Sequence, residues 1–435
     1  MKIFVRNAAW LLVEKITRLG VAFVLLGLIA RHLGPEDFGV LSLAMSVVAI
    51  LWAAAGLGLD QLLLKEFAQD TYSDEQLLST ASLLRLLASA LLLAPCLVYV
   101  TLFGELTWDQ RCAFAITLLS LLFYNCTTWQ TYWQAKSRAF QVAKVGLITL
   151  ALSSGIKIFC LVQGYGVQAF AWAIGADLAI NLVLFMYWRA PQGLRFRWRH
   201  VRWAMLGQLW PTAWPMLVSS LLIVVYTRID QVMIASMMGV GASGVFSVAV
   251  RIVESYGVVP MLIATAFYPM LCRQPDPRTA RQYFDIIFFS AWTGALLVWL
   301  LAQLAVPWLF GPAYVQVLDI LSISLLGAMF SVVGVACTHY LVVIDLGYLR
   351  PMRLLGGLLL NVLLNLWLIP AQGLLGAALA TLVSQVFASW LGNLLNHKTR
   401  PCFKLQAMAL LTLGLPGVLA LCRKLFGKGS LAALP

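Results

Sequence analysis

The sequence predicts an all-α polytopic membrane protein made of two six-helix bundles. Three observations support this fold class: the composition, the length of the apolar runs, and an internal repeat. Of the 435 residues, 62% are hydrophobic and 11% are charged, whereas charged residues make up about 25% of soluble domains. Windows of about 20 apolar residues, the length that crosses a hydrocarbon core, divide almost the whole chain into spans joined by short loops. No separate soluble domain fits between them.

Twelve spans are predicted, six on each side of one polar connection. The N-terminal bundle occupies residues 1–188, a basic cytoplasmic linker occupies residues 189–208, and the C-terminal bundle occupies residues 209–400. The remaining residues, 401–435, contain an apolar stretch at 405–422 that is broken by Pro416. This stretch can be a thirteenth span, a re-entrant segment or an interfacial helix. The predicted spans are residues 8–30, 38–59, 77–103, 108–133, 141–163, 166–188, 209–235, 243–271, 281–304, 313–343, 353–370 and 373–396.

The formal net charge of +13 follows from membrane topology. With the N-terminus in the cytoplasm, the basic residues fall in the inward loops, and the outward loops offer little beyond Arg31 and Arg111. This asymmetry obeys the positive-inside rule, and anionic lipid headgroups are suitable partners for the inward cations. Nucleic acid is therefore not expected as a partner. The first span holds Glu14, Lys15 and Arg18, where a cleavable signal needs an unbroken apolar centre, so we expect this helix to be retained.

One stretch of the first half recurs in the second half. Residues 28–44, LIARHLGPEDFGVLSLA, align with residues 233–249, MIASMMGVGASGVFSVA, with seven identities in seventeen positions. The shift places the same helix of one half on the same helix of the other, which predicts a pseudo-two-fold axis along the membrane normal and a central cavity between the bundles. Gly39, which recurs as Gly244, is expected to let two helices approach closely.

The same landmarks resemble a known family. Leu33-Gly34-Pro35 with Phe38-Gly39, then Gly56-Leu57-Gly58 and Lys65-Glu66, resemble the start of the Wzx-like polysaccharide-transport family of the MOP exporter superfamily. In the second half, Asp230, Gly239, Gly244, Pro269 and the Gly373 to Ala378 run resemble its later landmarks. The resemblance extends to about residue 400. Two departures are Val245-Phe246, where the family often has glycine-x-tyrosine, and the segment after Lys404.

This resemblance implies a MOP-type flippase fold of about twelve transmembrane helices plus the C-terminal apolar segment. It also implies a substrate: an oligosaccharide linked to a polyprenyl diphosphate, moved across the bacterial inner membrane by alternating access during O-antigen or exopolysaccharide synthesis. We expect a monomer that contacts membrane lipids and the polysaccharide polymerase machinery.

Charged residues inside the spans are the candidate site residues, because each costs several kcal/mol unless paired or hydrated. Five cations are expected to face the cavity and bind phosphate oxygens, which suit guanidinium donors: Arg18, Arg85, Lys157, Arg228 and Arg251. Two carboxylates, Asp177 and Asp230, are candidates for binding a coupling proton or Na⁺. Glu14 lies four residues before Arg18 and Glu254 three after Arg251, so these two pairs can alternatively be buried ion pairs that hold the bundles together.

Two other functions remain open on the sequence alone. A MATE-like ion-coupled drug exporter shares the architecture, but it needs a more acidic interior for cationic substrates. A membrane-embedded polysaccharide polymerase or glycosyltransferase needs a large external loop or an acidic metal-binding motif, and the outward loops are short and no DxD motif occurs. The eight cysteines form no CxxC or Cys/His cluster. We therefore expect a transporter with no catalytic residues, no metal site and no organic cofactor.

Overall fold

The computed structural model describes residues 2–69, 72–103, 106–189, 197–273 and 276–426. Within these residues the chain forms fourteen α-helices, and a 3₁₀ helix, Ser120–Asn125, joins α4 to α5. The helices are α1 (Lys2–Ala55), α2 (Leu59–Gln69), α3 (Asp74–Phe103), α4 (Trp108–Leu119), α5 (Cys126–Ala135), α6 (Ala139–Val162), α7 (Val167–Arg189), α8 (Trp203–Met238), α9 (Val240–Arg273), α10 (Pro277–Ala305), α11 (Val317–Val343), α12 (Arg350–Ser389), α13 (Arg400–Leu411) and α14 (Leu415–Phe426).

Two of the longest helices are each interrupted by a glycine. Gly34 in α1 has φ +75° and Gly373 in α12 has φ +61°, a region that side chains with a Cβ rarely adopt. Ten helices of the described residues are long and apolar enough to cross a membrane. The kinks divide α1 and α12 into two segments each, which correspond to neighbouring predicted spans. The predicted all-helical polytopic fold is confirmed.

The chain forms two compact units, residues 1–244 and 245–435. The predicted division into bundles at the linker, residues 189–208, remains a prediction, and residues 190–196 of that linker lie outside the described residues. Each unit is described by itself below.

In the N-terminal unit, α1 packs against α6 and α8, and α4 and α6 both pack against α7. The second predicted span, residues 38–59, ends as a helix at Ala55, four residues before its predicted end. After Ala55, the Gly56-Leu57-Gly58 turn places both Leu57 (φ 53°) and Gly58 (φ 68°) in the left-handed region, and a Cβ on Gly58 would overlap the carbonyl of Ala213 in α8. The chain re-enters a helix at α2, which packs against α5. This break positions Asp60 at the start of α2.

In the C-terminal unit, α11 packs between α10 and α12. The C-terminal apolar stretch forms α13 and α14, which are bent by 81° and both pack on α10. Arg281 of α10 pairs with Asp285 at 2.9 Å and donates to the Met408 carbonyl at 2.9 Å. Gly414, between α13 and α14, has no room for a Cβ against the Asp285 backbone. The stretch at 405–422 is therefore not a straight thirteenth span.

Candidate functional site

An ion pair predicted from sequence spacing lies on α1. The Arg18 Nε donates to Glu14 Oε1 at 2.7 Å, one helical turn away. The Arg18 Nη2 donates to the carbonyl oxygen of Gly146 on α6 at 3.1 Å. Thus one guanidinium joins α1 to α6 and also satisfies a backbone acceptor.

Arg18 retains capacity to bind a ligand. Its two contacts with the described residues use two of the five N–H donors of a guanidinium, and its side chain is 35% exposed. The absence of a side chain at Gly146 makes room for the pair, because a Cβ there would lie 2.8 Å from Glu14 Oε1 and 3.2 Å from Arg18 Nη2. Gly155, another glycine of α6, has open space around the position that a Cβ would occupy.

Two further charged residues of the N-terminal unit lie on the neighbouring helices. They are Lys157 of α6 and Asp177 of α7, and α6 packs against both α1 and α7. Both Lys157 and Asp177 are half-buried. The Oδ1 atom of Asp177 is buried and has no hydrogen-bond partner among the described residues. We refer to Glu14, Arg18, Lys157 and Asp177 as the N-terminal charge cluster.

The Arg85 side chain, predicted to face a cavity, is instead fully buried. Its Nη2 donates to Asp60 Oδ1 at 2.6 Å, and its Nη1 donates to the hydroxyls of Thr127 and Thr128 at 2.9 and 3.0 Å. The guanidinium also lies over the ring of Tyr124 at 5.4 Å. In this conformation the Arg85 side chain has no exposed surface that a ligand could contact. The exposed member of the pair is Asp60, whose side chain is 56% exposed.

The other predicted residues lie on α8 and α9. On α9, in the C-terminal unit, Arg251 pairs with Glu254 at 3.2 Å, and their side chains are 28% and 39% exposed. This pair was predicted from the spacing of three residues. On α8, in the N-terminal unit, Arg228 is half-buried and Asp230 is buried. The expectation that the cations share one cavity stays a prediction.

The repeated glycines do meet, as the sequence predicted. A Cβ on Gly39 would overlap the Val240 carbonyl, and a Cβ on Gly244 would lie 3.0 Å from both the nitrogen and the Cα of Gly39. Close by, the Ser46 hydroxyl donates to the Gln231 side chain. The two copies of the repeat are therefore in backbone contact within the N-terminal unit.

The described residues contain no group of three or more His, Cys, Asp or Glu side chains arranged to hold a metal ion. The charged side chains of the site can donate and accept hydrogen bonds. Such a set suits binding of anions and hydroxyl-bearing ligands within a membrane.

Comparison with known proteins identifies the fold and the family of the chain. The chain is similar to an inward-facing MATE-family multidrug resistance transporter of the MOP superfamily, with a TM-score of 0.68 and 15% identity over 91% of this chain and 95% of that chain. It is also similar to the lipid II flippase MurJ in an inward closed conformation, with a TM-score of 0.66 and 14% identity over 96% of this chain and 94% of that chain. No curated protein matches the sequence.

These likenesses show that the chain shares the fold of these two proteins. Residues 4–274 match the family described as polysaccharide biosynthesis protein. The chain belongs to this polysaccharide biosynthesis protein family.

Proposed function

We propose that the protein is a flippase that moves an oligosaccharide linked to a polyprenyl diphosphate from the cytoplasmic to the outer leaflet of a bacterial inner membrane. In this proposal the N-terminus is cytoplasmic. The translocated oligosaccharide supplies surface polysaccharide such as O-antigen or exopolysaccharide. Family membership supports the polysaccharide link. The printed function of one structural neighbour, a lipid II flippase, supports the class of movement.

The observation that carries the proposal is the partly exposed Arg18 guanidinium inside an apolar helix. It is held in place by Glu14 and by the Gly146 carbonyl, at 2.7 and 3.1 Å, so its remaining N–H donors have a fixed direction. A diphosphate accepts such charge-assisted hydrogen bonds, and each is worth about 1.5–3 kcal/mol. Lys157 of α6, which packs against α1, is the second basic residue of the proposed site.

Asp177 gives this site a means of coupling to protons. With all four residues ionised, the N-terminal charge cluster has two cations and two carboxylates and a net charge of zero. Protonation of Asp177, whose Oδ1 is buried without a hydrogen-bond partner, would leave a net charge of +1 and free Lys157 for an anion. Because linkage is reciprocal, anion binding and proton binding would then favour each other. Asp230 is the second candidate for coupling to protons or Na⁺.

The alternative function is export of cationic drugs, which the likeness to MATE transporters favours. For that substrate the same cluster would act through its carboxylates rather than its cations. The two functions therefore predict opposite effects of removing Arg18.

The test is lipid translocation in proteoliposomes that contain the purified protein. The probe is a fluorescent polyprenyl diphosphate bearing one N-acetylhexosamine. Its movement is followed by quenching the fluorescence of the probe molecules in the outer leaflet. We expect the wild type to translocate it and Arg18→Gln to reduce the initial rate at least about tenfold, since a charge-assisted hydrogen bond is lost. Lys157→Gln should also slow translocation, whereas Lys144→Gln, an exposed lysine on the same helix, should not.

A parallel measurement decides between the functions. If the wild type moves an ethidium-type cation and leaves the glycolipid untouched, the flippase proposal is wrong. If it moves the glycolipid but Arg18→Gln is fully active, the flippase proposal stands and the N-terminal charge cluster is not its phosphate site.

A further inference from the structure

The ion pair between Asp60 and Arg85 is strongly asymmetric in burial. The arginine side chain is fully buried and the aspartate side chain is 56% exposed. Arg85 is fixed on three other sides by the hydroxyls of Thr127 and Thr128 and by the Tyr124 ring. The guanidinium therefore acts as a support, and the exposed carboxylate is the group that can meet a ligand.

The pair lies deep in the membrane-crossing part of the unit. Asp74, at the start of α3, pairs with Lys136 at 3.2 Å, which marks a charged, aqueous end of the helix. Arg85 follows Asp74 by eleven residues, about 16 Å along a helix that rises 1.5 Å per residue. This is about half of a hydrocarbon core of about 30 Å. An ionised carboxylate facing lipid tails at this depth costs several kcal/mol, so the exposed face of Asp60 meets water or a polar ligand.

The local backbone holds Asp60 firmly. It follows the Gly56-Leu57-Gly58 break, and Gly58 is pressed against the backbone of Ala213. Tyr124 donates to Asp60 Oδ2 at 3.4 Å, and the Tyr124 ring is stacked on Trp52 with centroids 5.4 Å apart. A fixed acceptor binds with little loss of side-chain entropy.

The chemistry of the pair selects against cations. Arg85 neutralises the charge of Asp60, which cancels most of the attraction that a metal ion or a cationic drug would feel. The carboxylate nevertheless offers about four acceptor positions, of which Arg85 and Tyr124 use two. A neutral donor such as a sugar hydroxyl can use the others. Hydrogen bonds to charged groups are stronger than those between neutral groups.

We propose that Asp60, positioned by Arg85, accepts hydrogen bonds from the saccharide part of the substrate and so determines specificity for a glycosylated lipid over the bare lipid. This inference rests on the proposed function. It assigns the sugar to a different site from the diphosphate, because the carboxylate is the exposed member of the Asp60–Arg85 pair. In the Glu14–Arg18 pair the more exposed member is the cation, with 35% of the Arg18 side chain exposed against 18% for Glu14. Arg85 is a positioning residue, because it does not itself reach the ligand.

The test is competitive binding measured by native mass spectrometry of the purified full-length protein. The two probes are a polyprenyl diphosphate and the same lipid bearing one N-acetylhexosamine. Their bound ratio does not depend on how much of a variant is folded. We expect the wild type to prefer the glycosylated lipid, and Asp60→Ala to lower the ratio about tenfold while both lipids still bind.

Because Asp60→Ala leaves a buried cation, a second variant removes both charges. Asp60→Ala with Arg85→Met should show the same loss of preference. Arg85→Met alone should lower the ratio and also raise the affinity for tetraphenylphosphonium, since Asp60 is then no longer neutralised; a purely structural role would not change cation binding. Asp109→Asn, another exposed carboxylate of the same unit, should leave the ratio unchanged.

The outcomes separate this inference from the proposed function. If the wild type binds both lipids and the double variant keeps the wild-type ratio, Asp60 does not read the sugar, and the flippase proposal is unaffected. If the wild type binds neither lipid, the proposed function is wrong and the role of Asp60 is wrong with it.

Discussion

The burial asymmetry of Asp60 and Arg85 makes a sharp prediction about stability. The two residues form one hydrogen bond of 2.6 Å, so this contact alone predicts the same loss of stability when either side chain is removed. Their surroundings differ: the aspartate can be solvated, whereas the arginine side chain has no exposed surface. The two single substitutions should therefore have unequal effects.

The structure gives the size of each effect. Asp60→Ala leaves a fully buried guanidinium with only two threonine hydroxyls and an aromatic ring as partners, and removing one partner of a buried pair costs about 3–5 kcal/mol. Arg85→Met replaces the buried charge with an apolar side chain and releases Asp60 to water. The lost pair then resembles an exposed one, worth about 0–1 kcal/mol. The double variant should be closer to Arg85→Met than to Asp60→Ala.

Unfolding by SDS in mixed micelles measures these free energies of unfolding. We expect Asp60→Ala to lose at least about 2 kcal/mol more than Arg85→Met, since burial of an unpaired charge dominates. Asp109→Ala serves as the exposed-carboxylate control. Equal losses in the two single variants, or a larger loss in Arg85→Met, would refute the assignment of Arg85 as a buried support.

Three further predictions concern glycines. Gly39→Ala should lower the apparent melting temperature sharply, because its Cβ would overlap the backbone of the second repeat, and overpacking costs about 1–3 kcal/mol. Gly20→Ala is the control, since Gly20 has open space around its Cβ position, and it should leave the melting temperature unchanged. Gly146→Ala should slow glycolipid translocation by displacing the ion pair of α1, whereas Gly155→Ala on the same helix should leave the rate unchanged; equal rates would show that the pair tolerates displacement. Gly414→Ala should detach α13 and α14 from α10 and expose them to limited proteolysis, and unchanged protease resistance would contradict the close packing there.

The charge of Asp177 makes a further prediction. Asp177→Asn removes one carboxylate from the N-terminal charge cluster, so the variant should bind a bare polyprenyl diphosphate more tightly than the wild type does. Fluorescence-detected binding of the bare lipid measures this, with Asp109→Asn, an exposed carboxylate of the same unit, as the control. Equal or weaker binding by Asp177→Asn would contradict the placement of Asp177 beside the phosphate site.

Much of the fold is visible in the sequence because membrane spans are long and uniform. Apolar runs locate the twelve helices, and Gly34-Pro35 marks the kink in α1. The second predicted span ends close to the Gly56-Leu57-Gly58 turn, but the sequence analysis does not predict the short helix α2 that follows this turn. A break between α13 and α14 is predicted from Pro416, but its angle is not, because that depends on contacts with Arg281 and Asp285 of α10.

The candidate site was predictable only where its residues share a helix. Glu14 with Arg18, and Arg251 with Glu254, are found from their spacing. The partner of Arg85 lies 25 residues away on another helix, and a single sequence contains no signal for that pairing. The same is true of Lys157 and Asp177, which interact across α6 and α7, and of the Gly146 carbonyl, which no side-chain pattern reveals.

We propose that fixed cations inside the N-terminal unit bind the diphosphate of a lipid carrier. Equilibrium binding of a short-chain polyprenyl diphosphate to the purified protein, compared with binding of the matching polyprenol, tests this proposal. We expect the diphosphate to bind much more tightly than the polyprenol, and this advantage to fall at least about tenfold in the double variant Arg18→Gln with Lys157→Gln. If the advantage is absent in the wild type, or fully retained in the double variant, these cations do not bind the diphosphate.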